Sequence, residues 1–191
     1  NDLGANVIVK IPICEGGLLA VRELSSQNIK TNVTACMTPY QAIEAAKAGA
    51  TYVSLFANRM LDSHILELAD HSLEEITSNT NWKETLKIGK EKYFEKAWEY
   101  TIIQIAYVAE RLEREFPDSQ LIVGSIRSPE DISRIAKAQP QIITIPTKIV
   151  EGLQNIQDIK QTKKSLLIKI HEKLIGESTL YHPMTQYTLD E

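Results

Sequence analysis

Apolar and polar positions along this chain fall into short blocks that switch between two periods. Val7-Ile8-Val9-Lys10-Ile11-Pro12 is a β-branched run holding a single lysine. Such a run fits a strand buried on both faces, closed at Pro12, which cannot donate to a sheet ladder. Leu18, Val21 and Leu24 then recur at helical spacing, so a helix is expected over 15–24. Further strands are expected over 29–34, 51–56, 120–124 and 141–146. Thr38-Pro39-Tyr40-Gln41 and Ser128-Pro129-Glu130-Asp131 each set a capping hydroxyl before a proline suited to the first helical position. Helices are therefore expected over 41–48, ending at Gly49, and over 132–138. Strands alternating with helices through short loops imply βαβ units, a parallel sheet and an α/β fold.

The rhythm breaks after Met60. No strand pattern occurs between there and Phe116. Residues 63–81 are mixed and polar, whereas 83–116 read as helix, most strongly where Trp98, Ile102, Ile105 and Leu112 share one stripe. Residues 60–116 are thus expected to be a helical insertion within a single domain spanning 1–191. Its role stays open between a partner surface, a lid and a solvated elaboration. Residues 148–176 read as mostly helical, and 181–185 as a turn.

Composition narrows the class. A chain of 191 residues, 43% hydrophobic and 24% charged, suits one globular domain with a sizeable core. A net charge of −4, without basic clusters interleaved with aromatics, argues against a nucleic-acid partner. No apolar run nears the roughly 20 residues of a membrane span, so no membrane partner is expected. The first residues lack the basic and apolar regions of a secretory leader. Cys14 and Cys36 are too few for a disulfide framework and read as free thiols in a reducing cytoplasm.

Lys10 carries two readings. At the carboxyl end of a buried strand, desolvation would lower its pKa and make the amine a nucleophile for a carbonyl carbon. On an exposed strand it would simply extend to water. Polar groups at later strand ends bear on the choice. Asn32 and Thr34 close the second strand. Ser54 lies in the third, followed by Asn58 and Arg59. Ser125 and Arg127 follow the fourth, just before a capped helix. In parallel α/β folds, ligands bind at these strand ends. Two guanidiniums, two hydroxyls and a helix N-terminus are together donors suited to a phosphate dianion, although each arginine taken alone fits a surface ion pair better. Asn32 and Thr34 suit substrate hydroxyls or a water. His64 and His71 show no metal-ligand spacing and read as surface residues, and neither His171 nor His182 has an evident partner.

Several of these stretches resemble the transaldolase family. Lys10-Ile11-Pro12 with Glu15-Gly16 and Leu18 resembles its lysine strand. Thr31-Asn32-Val33-Thr34-Ala35 with Gln41-Ala42 resembles the next strand and helix, and Gly49 to Phe56 with Arg59 the strand after that. Gly124-Ser125-Ile126-Arg127 resembles the family's phosphate-binding turn, and His182-Pro183-Met184-Thr185 its late histidine–proline turn.

The resemblance implies an eight-stranded (β/α)8 barrel, of which this chain is expected to carry about five units. Some three strands, bearing the proton-transfer residues, precede the lysine strand in the family. It also implies a class I mechanism without a cofactor or metal, sugar phosphates as substrates and a homo-oligomer. Lys10 would form the Schiff base, and Thr34 would help hold the catalytic water. Asn32 and Ser54 would bind the three-carbon unit, while Arg59, Ser125 and Arg127 would grip the phosphate. Phe56 stands where related fructose-6-phosphate aldolases place a catalytic tyrosine. A phenyl ring donates no proton, so the resemblance implies a transaldolase passing dihydroxyacetone units between sugar phosphates of the pentose phosphate pathway. A free aldolase and a non-catalytic sugar-phosphate binder are the alternatives.

Overall fold

A computed structural model of the chain describes residues 4, 6–73, 82–150 and 179–190. Its framework is one parallel sheet of five strands in chain order: β1 (Val9–Pro12), β2 (Thr31–Cys36), β3 (Tyr52–Phe56), β4 (Gln120–Gly124) and β5 (Ile142–Ile143). Helices α1 (Glu15–Ser26), α2 (Pro39–Lys47), α3 (Ala57–Leu68), α4 (Trp82–Glu115), α5 (Pro129–Ala136) and α6 (Thr147–Val150) follow along the chain, with α7 (Pro183–Asp190) near its end.

Strand periodicity sorts the sheet into two unlike faces. Ile11, Val33, Val53, Leu55, Leu121 and Val123 are buried among the helices. On the other face Lys10, Pro12, Asn32, Tyr52, Phe56, Ile122 and Ile142 are exposed or half-buried. β1 is therefore not buried on both faces. It pairs with β2 along one edge, and among the described residues no strand pairs with the other. Each large apolar side chain enclosed on the helical side contributes about 1.5–3 kcal/mol.

Local chemistry explains the element boundaries. Thr38 and Gln41 form the expected capping box, and Ser128 and Asp131 form a second one. Both helices begin at their prolines, Pro39 and Pro129, ahead of the apolar pattern. Cys14 caps α1, its Sγ accepting the Gly17 N–H at 3.2 Å. A Cβ on Gly17 would stand 2.2 Å from the Pro12 carbonyl oxygen, so the Gly16-Gly17 pair lets α1 start against the end of β1. β2 runs two residues beyond its expected end through an irregularity between Val33 and Cys36, where Ala35 takes φ 62°. β5 shrinks to two residues because Pro146 has no N–H to extend the ladder.

Helix α3 contradicts the expectation that residues 63–81 are mixed and polar, since helix continues to Leu68. Residues 74–81 lie outside the described part. No side chain caps α3, and it buries polar Asn58, Asp62, Ser63 and His64 beside Met60, Leu61, Ile65 and Leu66. Polar residues on the buried surface of α3 interrupt the apolar pattern by which a helix is read from sequence. α4 extends over 34 residues and packs along α3. A Cβ on Gly89 would stand 2.7 Å from Ile65 Cγ2, so the two helices approach closely there. Arg134 of α5 holds Glu95 of α4 through paired bonds of 2.7 and 2.8 Å. The expected helix over 148–176, apart from α6, and His171 lie outside the described residues.

Candidate functional site

The open face of the sheet carries a polar tier at its centre. Lys10 pairs in register with Asn32. The Ser54 hydroxyl donates to Asn32 Oδ1 at 2.8 Å. Three successive strands thus bring an ammonium, an amide and a hydroxyl to one part of the open face, Ser54 reaching Asn32 diagonally from beyond its register partner Tyr52. Lys10 is the second residue of β1 rather than its last, and it is exposed. Of the two sequence readings of Lys10, the exposed one describes the structure and the buried strand end does not, because β1 has one covered face and one open one. Pro12 pairs with Thr34 one step higher. Thr34 Oγ1 is buried and makes no hydrogen bond in the structure. A buried hydroxyl without a partner is costly, so this one is a donor and acceptor in reserve.

Above this tier stands the rim. Phe56, half-buried, pairs with Gly124. Asn58, in the first turn of α3, donates through Nδ2 to the Ser125 carbonyl oxygen and to Asp131 Oδ2, both at 2.7 Å. Asp131 Oδ2 also accepts the Arg127 and Ser128 N–H groups at 2.8 and 3.1 Å. Ser125 takes φ 62°, so the turn after β4, like the end of β2, holds a non-glycine residue in the left-handed region. The guanidinium of Arg127 grips Asp62 of α3 in bidentate fashion, at 2.9 and 2.6 Å. Arg59 sits one helical turn before Asp62. The fold therefore gathers Arg59, Ser125 and Arg127 around the start of α3, a place suited to an anion.

A second polar network anchors α7 over the end of β2. Gln41 Oε1 accepts the Met37 N–H at 2.7 Å, and its Nε2 donates to the Leu180 carbonyl at 2.6 Å and to Thr185 Oγ1 at 3.2 Å. The Thr185 hydroxyl donates to the Ala35 carbonyl at 3.1 Å. In the preceding turn, His182 Nδ1 accepts the Met184 N–H at 3.2 Å. Burial pushes the His182 imidazole down to about 4; neighbouring His64 acts in the same direction and Glu67 against it. His64 itself is buried rather than on the surface as expected, set between Glu67 and Gln104 at 3.1 Å each. Burial pushes the Cys36 thiol well up, while Cys14 is exposed, and both are free.

Sequence reasoning named Lys10, Asn32, Thr34, Ser54, Phe56, Arg59, Ser125 and Arg127. It collected Asn58 with the strand-end polar groups but gave it no role, and it missed Asp62 and Asp131; these three set the others. Two signals were available: Asp131 completes the Ser128 capping box, and Asp62 follows Arg59 at the spacing that shares a helix face. Among the described residues no cluster of His, Cys, Asp or Glu suits a metal ion, and no helix is long and apolar enough to cross a membrane.

Five parallel strands in chain order, helices on one face and polar groups rising from the other define an α/β protein of the barrel type with its ligand end at the strand termini. Over residues 2–191 the sequence matches the family described as Transaldolase/Fructose-6-phosphate aldolase, and the chain belongs to that family. The sheet is accordingly part of a (β/α)8 barrel. The chain is similar to a probable transaldolase of Bdellovibrio bacteriovorus, 34% identical over 152 residues, which are 79% of this chain and 54% of that protein. It is likewise similar to probable transaldolase 2 of Bacillus cereus, 34% identical over 153 residues, 80% of this chain and 54% of the relative. A probable transaldolase of Clostridium botulinum is 30% identical over 180 residues, 93% of this chain and 66% of the relative. The chain spans about half the length of the first two relatives.

Proposed function

We propose that this chain supplies the Schiff-base half of a cytoplasmic transaldolase of the pentose phosphate pathway. The observation that carries this reading is the tier in which Lys10 stands beside Asn32 and Asn32 is bonded to Ser54. The Lys10 amine attacks the ketose carbonyl carbon, and loss of water leaves a protonated imine. The bond between the α and β carbons of that imine then breaks: its electron pair passes into the imine to give an enamine, and the β-hydroxyl gives up its proton to the bound water as its carbon becomes the aldehyde of the free aldose. The enamine then adds to the carbonyl carbon of an acceptor aldose, and water returns to release the new ketose. Asn32 and Ser54 hold the hydroxyls of the retained three-carbon unit. Thr34 Oγ1, lacking a protein partner, holds the water. Arg59, Ser125 and Arg127 bind the phosphate at the rim. The donor and acceptor pair is sedoheptulose 7-phosphate and glyceraldehyde 3-phosphate, and Phe56 disfavours the release of free dihydroxyacetone. Residues 60–116 serve as a helical insertion in one domain.

Borohydride reduction in the presence of fructose 6-phosphate tests this reading. A sugar-derived mass on Lys10 is expected, and its absence or its location on another lysine overturns the assignment. The exposure of Lys10 favours a second reading, in which the chain by itself binds sugar phosphate without turnover. Phosphate-dependent stabilisation with no adduct at Lys10 would select it.

A further inference from the structure

We propose that Lys90, carried on α4, is an anion-binding residue of the rim site, and that Asp62 is the positioning residue that sets both Lys90 and Arg127. This rests on the phosphate-site reading above. The Asp62 side chain is 3% exposed, and a buried carboxylate requires cationic partners. Arg127 and Lys90 both stand against it, and they differ in kind. Arg127 holds both of its oxygens in a planar fork. The Lys90 ammonium stands 3.5 Å from Oδ1, an oxygen the Arg127 fork also uses. The Lys90 and Arg127 side chains are 39% and 41% exposed, so their heads reach solvent while the carboxylate between them does not. What the cluster turns to solvent is its two cationic heads. The nearby Asp131 carboxylate is buried and turns Oδ2 to neutral donors, the Arg127 N–H, the Ser128 N–H and the Asn58 amide.

The reach of Lys90 is built into the helix packing. Gly89, its immediate neighbour, lies against Ile65, one turn beyond Asp62 on α3. A Cβ at 89 would crowd Ile65 at this approach. An arginine fork and a mobile lysine point charge over one buried carboxylate form a site for a phosphate monoester dianion. In such a site the guanidinium, fixed by Asp62, supplies a set positive charge and the lysine follows the phosphate.

Inorganic phosphate titrated into the chain at low salt, followed by calorimetry, is the test. Lys90→Met should weaken binding by about tenfold, the effect of losing one charge-assisted hydrogen bond. Lys90→Arg should restore most of the affinity. Asp62→Asn should also weaken binding, although it adds net positive charge, because the two cations lose their common anchor. Tighter binding by Asp62→Asn would overturn the positioning role. Unchanged binding by Lys90→Met, with Arg127→Met still impaired, would overturn the role of Lys90 and leave the phosphate-site reading standing. Equal binding by the wild type and Arg127→Met, or none by the wild type, would instead overturn that reading and this inference with it.

Discussion

Asn58 Nδ2 lies 2.7 Å from Asp131 Oδ2, a bond that ties the first turn of α3 to the first turn of α5. The two residues are 73 positions apart, both are buried, and the Arg127 backbone hangs from the same carboxylate. Asp131→Ala takes the carboxylate from four donors at once, the buried Asn58 amide, the Arg127 and Ser128 N–H groups and the Ser128 hydroxyl. A loss of about 3 kcal/mol is expected in urea unfolding. Asn58→Ala removes a single partner and should cost roughly half as much.

The Lys10 amine is the group whose identity the proposed chemistry cannot replace. Lys10→Arg keeps the positive charge and loses the primary amine. The borohydride-trapped adduct should disappear and turnover should fall by roughly 10³-fold or more. Calorimetric affinity for inorganic phosphate should stay unchanged, because the rim residues are untouched.

His182 makes stability depend on pH. Its folded pKa, about 4, lies below the ordinary value of 6.5. The neutral form is thus the one that folding favours. The contribution is complete above pH 6.5 and is lost as pH falls from 6.5 towards 4. The loss should reach on the order of 3 kcal/mol at the acid end of that window. Asn at this position accepts the same backbone N–H without titrating. The difference in urea midpoint between neutral and acid solution should therefore be smaller in His182→Asn than in the wild type. Equal differences would remove His182 from the account.

Gly89 is a contact position rather than a flexible one. Alanine there gains about 1 kcal/mol of helix propensity. It also drives a Cβ into the β-branched Ile65 side chain, and overpacking of this sort costs typically 1–3 kcal/mol. Gly89→Ala should therefore give a small net drop in thermal midpoint, and Gly89→Leu a larger one.

Most of the architecture was legible where two local signals agreed. β4 came out as expected because a β-branched run ends at a glycine. α2 and α5 were marked by hydroxyl caps followed by prolines. α3 was hidden because no side chain caps it and its buried surface is partly polar. The candidate site divided in the same way. Residues with conspicuous functional groups at strand ends could be collected from the sequence, whereas Asp62 and Asn58 gain meaning only from partners 65 and 67 residues away. The exposure of Lys10 was not legible either. A continuous apolar run cannot tell whether both faces of a strand are covered.

The bonds from Gln41 to Leu180 and Thr185 join positions 139 and 144 residues apart. Contacts of such span form only after the intervening chain has already been confined, since loop-closure entropy must be met first. The α1–β2–α2–β3 segment can assemble from near neighbours, but α7 must wait for a finished surface on which to land. Its docking is then a late event in folding and an early one in unfolding. Native-state hydrogen exchange should show the amides of Gln186 and Thr188 opening at lower free energy than those of Val53 and Leu55, with Gln41→Ala widening the gap.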